Sequence, residues 1–179
     1  DFKNIFIEGA NKILNNKEIK TIDQKLLING TQTAGNIFNQ ENLLSHKMKK
    51  IIQKEVNKYY SKFKNSDEGI FKYWPNNYEI FGWLVKMKSG GELKAHIHEQ
   101  GWISGSVYIN VPPKNKKDSG NLVVAIDDEL KTKDLNNNSQ NIDVVTGSLC
   151  LFPSSLLHHT KSFESQQARI VLAFDIIPK

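Results

Sequence analysis

At 179 residues, with 39% hydrophobic and 24% charged side chains, the chain has the size and composition of one globular domain and is not intrinsically disordered. No apolar run approaches the roughly 20 residues that cross a bilayer. The single cysteine, Cys150, excludes an internal disulfide framework and predicts a reducing, cytoplasmic setting.

The formal charge of +5 rests on 24 basic residues, of which Arg169 is the only arginine. The lysines are scattered, and those between Lys47 and Lys64 read as the solvated face of a helix, so neither a nucleic-acid nor a membrane partner is expected. Where lysine serves nearly everywhere, a lone arginine points to a task for a planar, two-pronged donor. The opening at Asp1, without methionine or a basic-then-apolar signal, predicts a processed product or an excised fragment.

In chain order, Ile5, Phe6, Ala10, Ile13 and Leu14 are spaced for one buried helical face. Leu26-Leu27-Ile28 follows a polar stretch, and the Gly/Thr/Asn-rich segment Asn29 to Asn36 reads as a loop. From Glu41 to Phe63 the positions Leu44, Met48, Ile51, Ile52, Val56, Tyr59, Tyr60 and Phe63 keep a helical period, with lysines opposite.

After Asp67 the pattern changes to short apolar or alternating runs: Tyr78 to Lys88, Leu93 to His98, Trp102 to Val111, Asn121 to Ile126, Ser148 to Phe152 and Arg169 to Ile177. Gly90-Gly91, Pro112-Pro113, Ser119-Gly120 and Thr146-Gly147 punctuate them, as in an antiparallel sandwich or barrel. Asp127 to Asn141 is expected as a polar surface loop. No internal repeat and no βαβ alternation is present, which argues against a Rossmann-like fold. The expected fold is mainly β with N-terminal helices (α+β), a jelly roll. A helical segment, residues 1–66, is expected to pack on a β core, residues 67–179, as one compact domain.

Of the five histidines, His46 belongs to the lysine-rich helix and reads as a surface residue. In Ala95-His96-Ile97-His98, strand alternation puts both imidazoles on one face. His158 and His159 come after Gly147, a buried strand and Pro153. Two ligands early and one late is how a double-stranded β-helix builds a metal site with open positions. A His-x-His pair alone is weak support, since most such pairs are ordinary strand residues; the late histidine and Arg169 strengthen it. Arg169 heads the apolar strand Ile170-Val171-Leu172-Ala173-Phe174 and needs a partner there. A salt bridge to Asp175 or Asp143 is one reading. A bidentate clamp on a carboxylate-bearing small molecule beside the metal is the other.

Gly82-Trp83-Leu84-Val85, Gly90-Gly91, His96-Ile97-His98, Trp102-Ile103-Ser104-Gly105-Ser106-Val107-Tyr108, Phe152-Pro153-Ser154-Ser155-Leu156-Leu157-His158 and Arg169-Ile170-Val171-Leu172-Ala173-Phe174 occur in that order. Together they resemble the 2-oxoglutarate- and Fe(II)-dependent oxygenases related to prolyl hydroxylases, some of which carry tetratricopeptide repeats upstream. Asn29 to Phe38 resembles the amino-terminal region of such proteins, so the resemblance spans roughly residues 26 to 177.

The resemblance implies an enzyme that uses Fe(II), 2-oxoglutarate and dioxygen to hydroxylate a C–H bond, with oxidative decarboxylation of 2-oxoglutarate to succinate. It implies that His96 and His158 bind iron, that Arg169 holds the distal carboxylate of 2-oxoglutarate, and that Tyr108 lines the same pocket and hydrogen-bonds the cosubstrate. The sequence departs at the second ligand, where the superfamily usually has His-x-Asp or His-x-Glu. Either His96, His98 and His158 hold the metal together, or a carboxylate comes from elsewhere, with Glu99 nearest; alternation points Glu99 away and favours His98. His159 is then expected to face away from the metal. Trp102, Ser104 and Ser106 share strand parity with His98 and Tyr108 and are candidate pocket walls, with core packing equally open for Trp102. Thr31 to Phe38 and Lys114 to Gly120 are expected at the entrance.

A cupin-type metalloenzyme without 2-oxoglutarate is the runner-up, since Gly90 before His-x-His and Gly147 before Pro153 and His158 echo its motifs. The glutamate that a cupin carries four or five residues after His98 is absent, since Trp102 and Ile103 stand there, and this reading leaves Arg169 without a role. A catalytically inactive jelly roll that binds a ligand is the third reading. The substrate is compatible with a small molecule or a protein.

Overall fold

In a computed structural model, which describes residues 1–40, 42–126 and 139–179, the helices fall where apolar residues recur at helical spacing. A π-helical turn, Lys3–Ile7, runs into α1 (Glu8–Asn15), and the two bury Phe6, Ala10 and Ile13. The long helix α2 (Leu43–Phe63) starts at Asn42, whose side-chain oxygen accepts the Leu44 N–H at 2.9 Å. It buries Ser45, Met48, Ile52 and Val56 and turns its lysines outward. A single turn, α3 (Gly69–Lys72), stacks Phe71 on Phe63 with ring centroids 5.2 Å apart. No helix among the described residues is long and apolar enough to cross a membrane.

The strands are β1 (Thr21–Ile22), β2 (Leu27–Thr33), β3 (Tyr78–His96), β4 (Ile103–Asn110), β5 (Leu122–Ala125), β6 (Ser139–Ile142), β7 (Leu149–Pro153), β8 (Leu157–Thr160) and β9 (Arg169–Pro178). All pair antiparallel in the order β6-β5-β8-β3-β9-β4-β7, with β2 beside β3 and β1 beside β2. This is a curled, mostly antiparallel jelly-roll sheet with helices on one face.

The curl is built on β3. Its first half, Tyr78 to Met87, pairs with β9, whereas Leu93 and His96 pair with β8. The transfer happens at Gly90, whose φ is 72°, and at Gly91, where a Cβ would meet the Lys88 carbonyl at 2.7 Å. A single strand therefore serves both walls.

Period-two alternation then divides the faces. On β9, Ile170, Leu172, Phe174 and Ile176 join Ile80, Leu84, Ile103 and Val107 in the core under Met48 and Ile52. The alternate residues Arg169, Val171 and Ala173 line a cavity on the opposite face, with Ser104, Ser106 and Tyr108 of β4.

Several expectations need correction. Asn29 to Thr33 is not loop but the second half of β2, because pairing with β3 outweighs a Gly/Thr/Asn composition. Thr33 is buried, with its hydroxyl accepting the Leu84 N–H at 2.9 Å. Asn36 continues the edge with its side chain, accepting the Gly82 N–H at 3.0 Å and donating to the Ile80 carbonyl at 3.0 Å. Residues 1–66 thus add two strands to the sheet as well as helices. Tyr78 to Lys88 and Leu93 to His98 are not separate strands; Gly90-Gly91 bends one strand instead of ending it. The loop expected from Asp127 to Asn141 lies mostly outside the described residues, and Ser139 to Asn141 belong to β6.

Gly105 sits in the β4–β9 ladder opposite Phe174, where a Cβ would stand 2.2 Å from the fully buried Phe174 ring. Gly105→Ala is therefore expected to lower the urea midpoint by the equivalent of about 1–3 kcal/mol, with an unchanged m-value. An unshifted midpoint would show that the ring has room to give.

Candidate metal centre

The end of β3 and the short strand β8 bring the sequence-predicted histidines together. His96 and His158 are register partners across the β3–β8 ladder. His98 lies two residues past His96, with its backbone N–H bonded to the Ser154 carbonyl at 3.1 Å. One ring nitrogen from each of His96, His98 and His158 lies within 4.8 Å of the other two.

In each imidazole Nδ1 is committed to an acceptor. His96 donates to the Lys94 carbonyl at 2.8 Å, His158 to the Leu156 carbonyl at 3.0 Å, and His98 to Asp175 Oδ1 at 2.8 Å. This pattern assigns the Nδ1–H tautomer to all three and leaves the Nε2 lone pairs free. His96 Nε2 and His98 Nε2 nevertheless stand 3.1 Å apart. Two lone pairs at that distance repel unless a cation sits between them. The spacing matches cis ligands on an octahedral ion, for which metal–nitrogen bonds of about 2.1 Å give about 3.0 Å. The residues fit a ferrous ion.

The electrostatics agree. Burial, followed by the neighbouring His96 and a smaller contribution from His98, pushes the pKa of His158 down to about 3, and burial also lowers that of His96. Both imidazoles are therefore neutral ligands at ordinary pH.

Arg169 is 3% exposed. Its Cζ lies over the Tyr108 ring, 5.2 Å from the centroid, and its Nε has no hydrogen-bond partner. Among the described residues it forms no ion pair. Of the carboxylates expected as partners, Asp175 is bonded to His98 and Asp143 to Lys114. Burial lowers the guanidinium pKa and raises that of Tyr108, so the phenol stays a protonated donor. Arg169 and Tyr108 share one cavity with the three histidines, walled by Val85, Leu122, Phe152, Val171 and Ala173. A buried guanidinium facing a cavity that no carboxylate of the described residues lines fits the distal carboxylate of a keto diacid.

Other predicted residues are distributed differently. Ser104 and Ser106 line the cavity. Trp102 does not; it precedes β4, donates from Nε1 to the Ile70 carbonyl at 3.0 Å and packs in the core beneath the helices. Glu99 is exposed beside the triad and outside it, and His46 is exposed on α2. His159 follows His158 on β8 and borders the cavity, so it does not turn wholly away. From Thr31 to Phe38 only Gln32 reaches the cavity, while Ile37 and Phe38 are core residues. Lys114, Ser119 and Gly120 lie behind Arg169, not at the entrance. Sequence reading missed Gln24, Trp83 and Leu122 as lining residues and Asp175 as the partner of His98. Asp175 shares parity with Arg169 on β9, which is the signal that would have found it.

The depressed pKa of His158 has a sign that can be measured. Between pH 6.5 and about 3 the unfolded chain binds this proton more readily than the folded one. The metal-free protein is therefore expected to lose stability as pH falls through that window, relative to a His158→Leu variant. Parallel denaturant titrations of the two at pH 7 and 4.5 check this; identical pH slopes would contradict it.

A family model described as "Putative 2OG-Fe(II) oxygenase" matches residues 82–175, from the β3 segment that faces β9 to the carboxylate behind His98. Solved structures share the fold at low identity. The prolyl-4-hydroxylase of Pseudomonas putida has a TM-score of 0.66 and 11% identity, covering 100% of this chain and 87% of that one. The Trichoplax adhaerens prolyl hydroxylase, solved with a hypoxia inducible factor oxygen degradation domain peptide fragment, has a TM-score of 0.65 and 14% identity, covering 98% and 78%. HygX from Streptomyces hygroscopicus, solved with nickel, 2-oxoglutarate and hygromycin B, has a TM-score of 0.57 and 10% identity, covering 97% and 78%. No curated protein matches. With the family model spanning more than half of the chain, this protein belongs to the 2OG-Fe(II) oxygenase family, enzymes that work with Fe(II) and 2-oxoglutarate.

Proposed function

We propose that the enzyme hydroxylates a C–H bond of a small-molecule or protein substrate, with His96, His98 and His158 holding the ferrous ion and Arg169 and Tyr108 holding 2-oxoglutarate. The observation that carries this reading is Arg169, a buried cation without a carboxylate partner among the described residues, in the same cavity as three converging imidazole nitrogens. When bound, Fe(II) with 2-oxoglutarate and dioxygen supplies the oxidising chemistry, by which 2-oxoglutarate leaves as succinate and carbon dioxide and the second oxygen atom enters the substrate.

The protein supplies holding, orientation and dryness. His96, His98 and His158 would hold the ion through three imidazole nitrogens and leave its other positions to the reactants. Arg169 would meet the distal carboxylate with its guanidinium N–H donors, and the protonated Tyr108 hydroxyl would add another. Val85, Leu122, Phe152 and Val171 keep bulk water from this charge pair, which strengthens it.

The substrate would come from the other side. A groove lined by Phe81, Trp83, Ile97, Gln100 and Ile177 shares Gln24, Gln32, Trp83 and His98 with the cavity. It reaches the triad at His98 without crossing the Arg169 end. A nucleic-acid substrate is not proposed, because Lys50, Lys54, Lys58 and Lys62 lie along α2, which covers the face of the sheet opposite the cavity.

Anaerobic titration of the Fe(II)-loaded protein with 2-oxoglutarate tests the assignment through the visible charge-transfer band of the chelated keto acid. The parent is expected to develop the band. Arg169→Leu should need about ten- to a hundredfold more 2-oxoglutarate, as the loss of charge-assisted hydrogen bonds implies. His158→Ala should show no band. Iron bound without a band in the parent would overturn the cosubstrate role.

A further inference from the structure

Where the superfamily that the sequence resembles usually has a carboxylate ligand this chain has His98, and a buried carboxylate stands one layer behind it. Asp175 is 8% exposed, and its Oδ1 lies 2.8 Å from His98 Nδ1 and 2.7 Å from Ser104 Oγ. Ser104 Oγ is 2.9 Å from Ser154 Oγ, and these two serines are 2% and 0% exposed. Ser104 has one proton; given to the carboxylate, it leaves the oxygen to accept from Ser154, and the same oxygen stands 3.1 Å from His98 Nδ1. The arrangement is fixed by backbone: Ser104 and Asp175 are register partners across β4 and β9, and His98 N–H is bonded to the Ser154 carbonyl. Gly101 closes over it, since a Cβ there would fall 2.5 Å from Ser154 Oγ.

Asp175 reaches Nδ1, on the ring edge away from the Nε2 that faces His96. The geometry points to Asp175 as the displaced carboxylate of the metal centre, a positioning residue that acts through His98. It fixes the Nδ1–H tautomer, aims Nε2 at the metal position and returns one negative charge to three otherwise neutral ligands. Three imidazoles alone leave a dication at +2. With Asp175 behind His98 the centre carries +1, the same net charge as two histidines and a ligating carboxylate. Ser104 and Ser154 keep the carboxylate from turning away.

This inference rests on the three-histidine reading, and Zn(II) titrated into the metal-free full chain, labelled with 15N-histidine, separates the two. Long-range proton–nitrogen correlations report the tautomer of each ring, and the Nε2 shifts report ligation. In the parent, His98 is expected as the Nδ1–H tautomer, and Zn(II) should shift Nε2 of His96, His98 and His158. Asp175→Asn keeps an acceptor but not the charge, so all three rings should still shift with about 10- to 100-fold weaker affinity. Asp175→Ala combined with Ser104→Ala, which removes both side chains that reach Nδ1, should give His98 a mixed tautomer while His96 and His158 stay as in the parent, and Asp175→Glu should restore part of the affinity. Ser104→Ala, the milder variant, should weaken binding in the same direction. Asp175→Asn binding as tightly as the parent, or an unchanged His98 tautomer in the Asp175→Ala, Ser104→Ala double variant, would overturn the positioning role alone. Zn(II) binding that leaves His98 Nε2 unshifted and is abolished by Asp175→Asn would make Asp175 a direct ligand and overturn both readings.

Discussion

The site depends on β3 leaving one wall of the sheet and joining the other. Before the Gly90-Gly91 bend, β3 is tied to β9, with Met87 opposite Arg169. After it, the same strand is tied to β8, with His96 opposite His158. Had the strand ended at the glycines, the two halves of the site would hang on separate hairpins joined by a loop. Continuous backbone instead fixes His96, His158 and Arg169 relative to each other, and rigid elements hold reacting groups more closely than loops do.

That geometry creates two unmet electrostatic demands in one enclosure. Nitrogen lone pairs 3.1 Å apart call for a cation, and a buried guanidinium with no carboxylate partner among the described residues calls for an anion. Each demand costs folding free energy, and one keto acid chelated to a metal ion would satisfy both. The stability needed to tolerate this comes from the opposite face of the same strands, where Leu84, Leu172, Phe174 and Ile176 are completely or almost completely buried beneath the helices. Alternation lets adjacent residues of β9 serve opposite purposes, Val171 and Ala173 for the cavity and Leu172 and Phe174 for the core.

Much of this was legible in the sequence, for identifiable reasons. The helical period of α2 and the one-face placement of His96 and His98 follow from local geometry alone. Arg169 was conspicuous because a lysine-rich chain uses arginine once, and its buried setting over Tyr108 is one that a strongly hydrated ammonium suits poorly. What could not be read is what non-local pairing decides. β2 carries Asn29, Gly30 and Thr31, a loop composition, and becomes a strand only because β3 satisfies its backbone. β8 is four residues long, Leu-His-His-Thr, with no hydrophobic alternation to announce it. Trp102 shares strand parity on paper with Ser104, but the strand begins only at Ile103, so parity fails one residue too early.

The identity of the third ligand shows the same limit at higher resolution. Sequence spacing offers Glu99 as the near carboxylate and Asp175 as a partner for Arg169, and both assignments follow distance along the chain. In space Glu99 turns to solvent, while Asp175, 77 residues from His98, is its hydrogen-bond partner. A ligand one covalent ring further from the metal needs a longer side chain in front and a shorter, firmly held one behind. His98 and the serine-bonded Asp175 meet that requirement. The chain thus departs from the His-x-carboxylate spacing of the superfamily it resembles, and the carboxylate beside its three imidazoles comes from β9 instead.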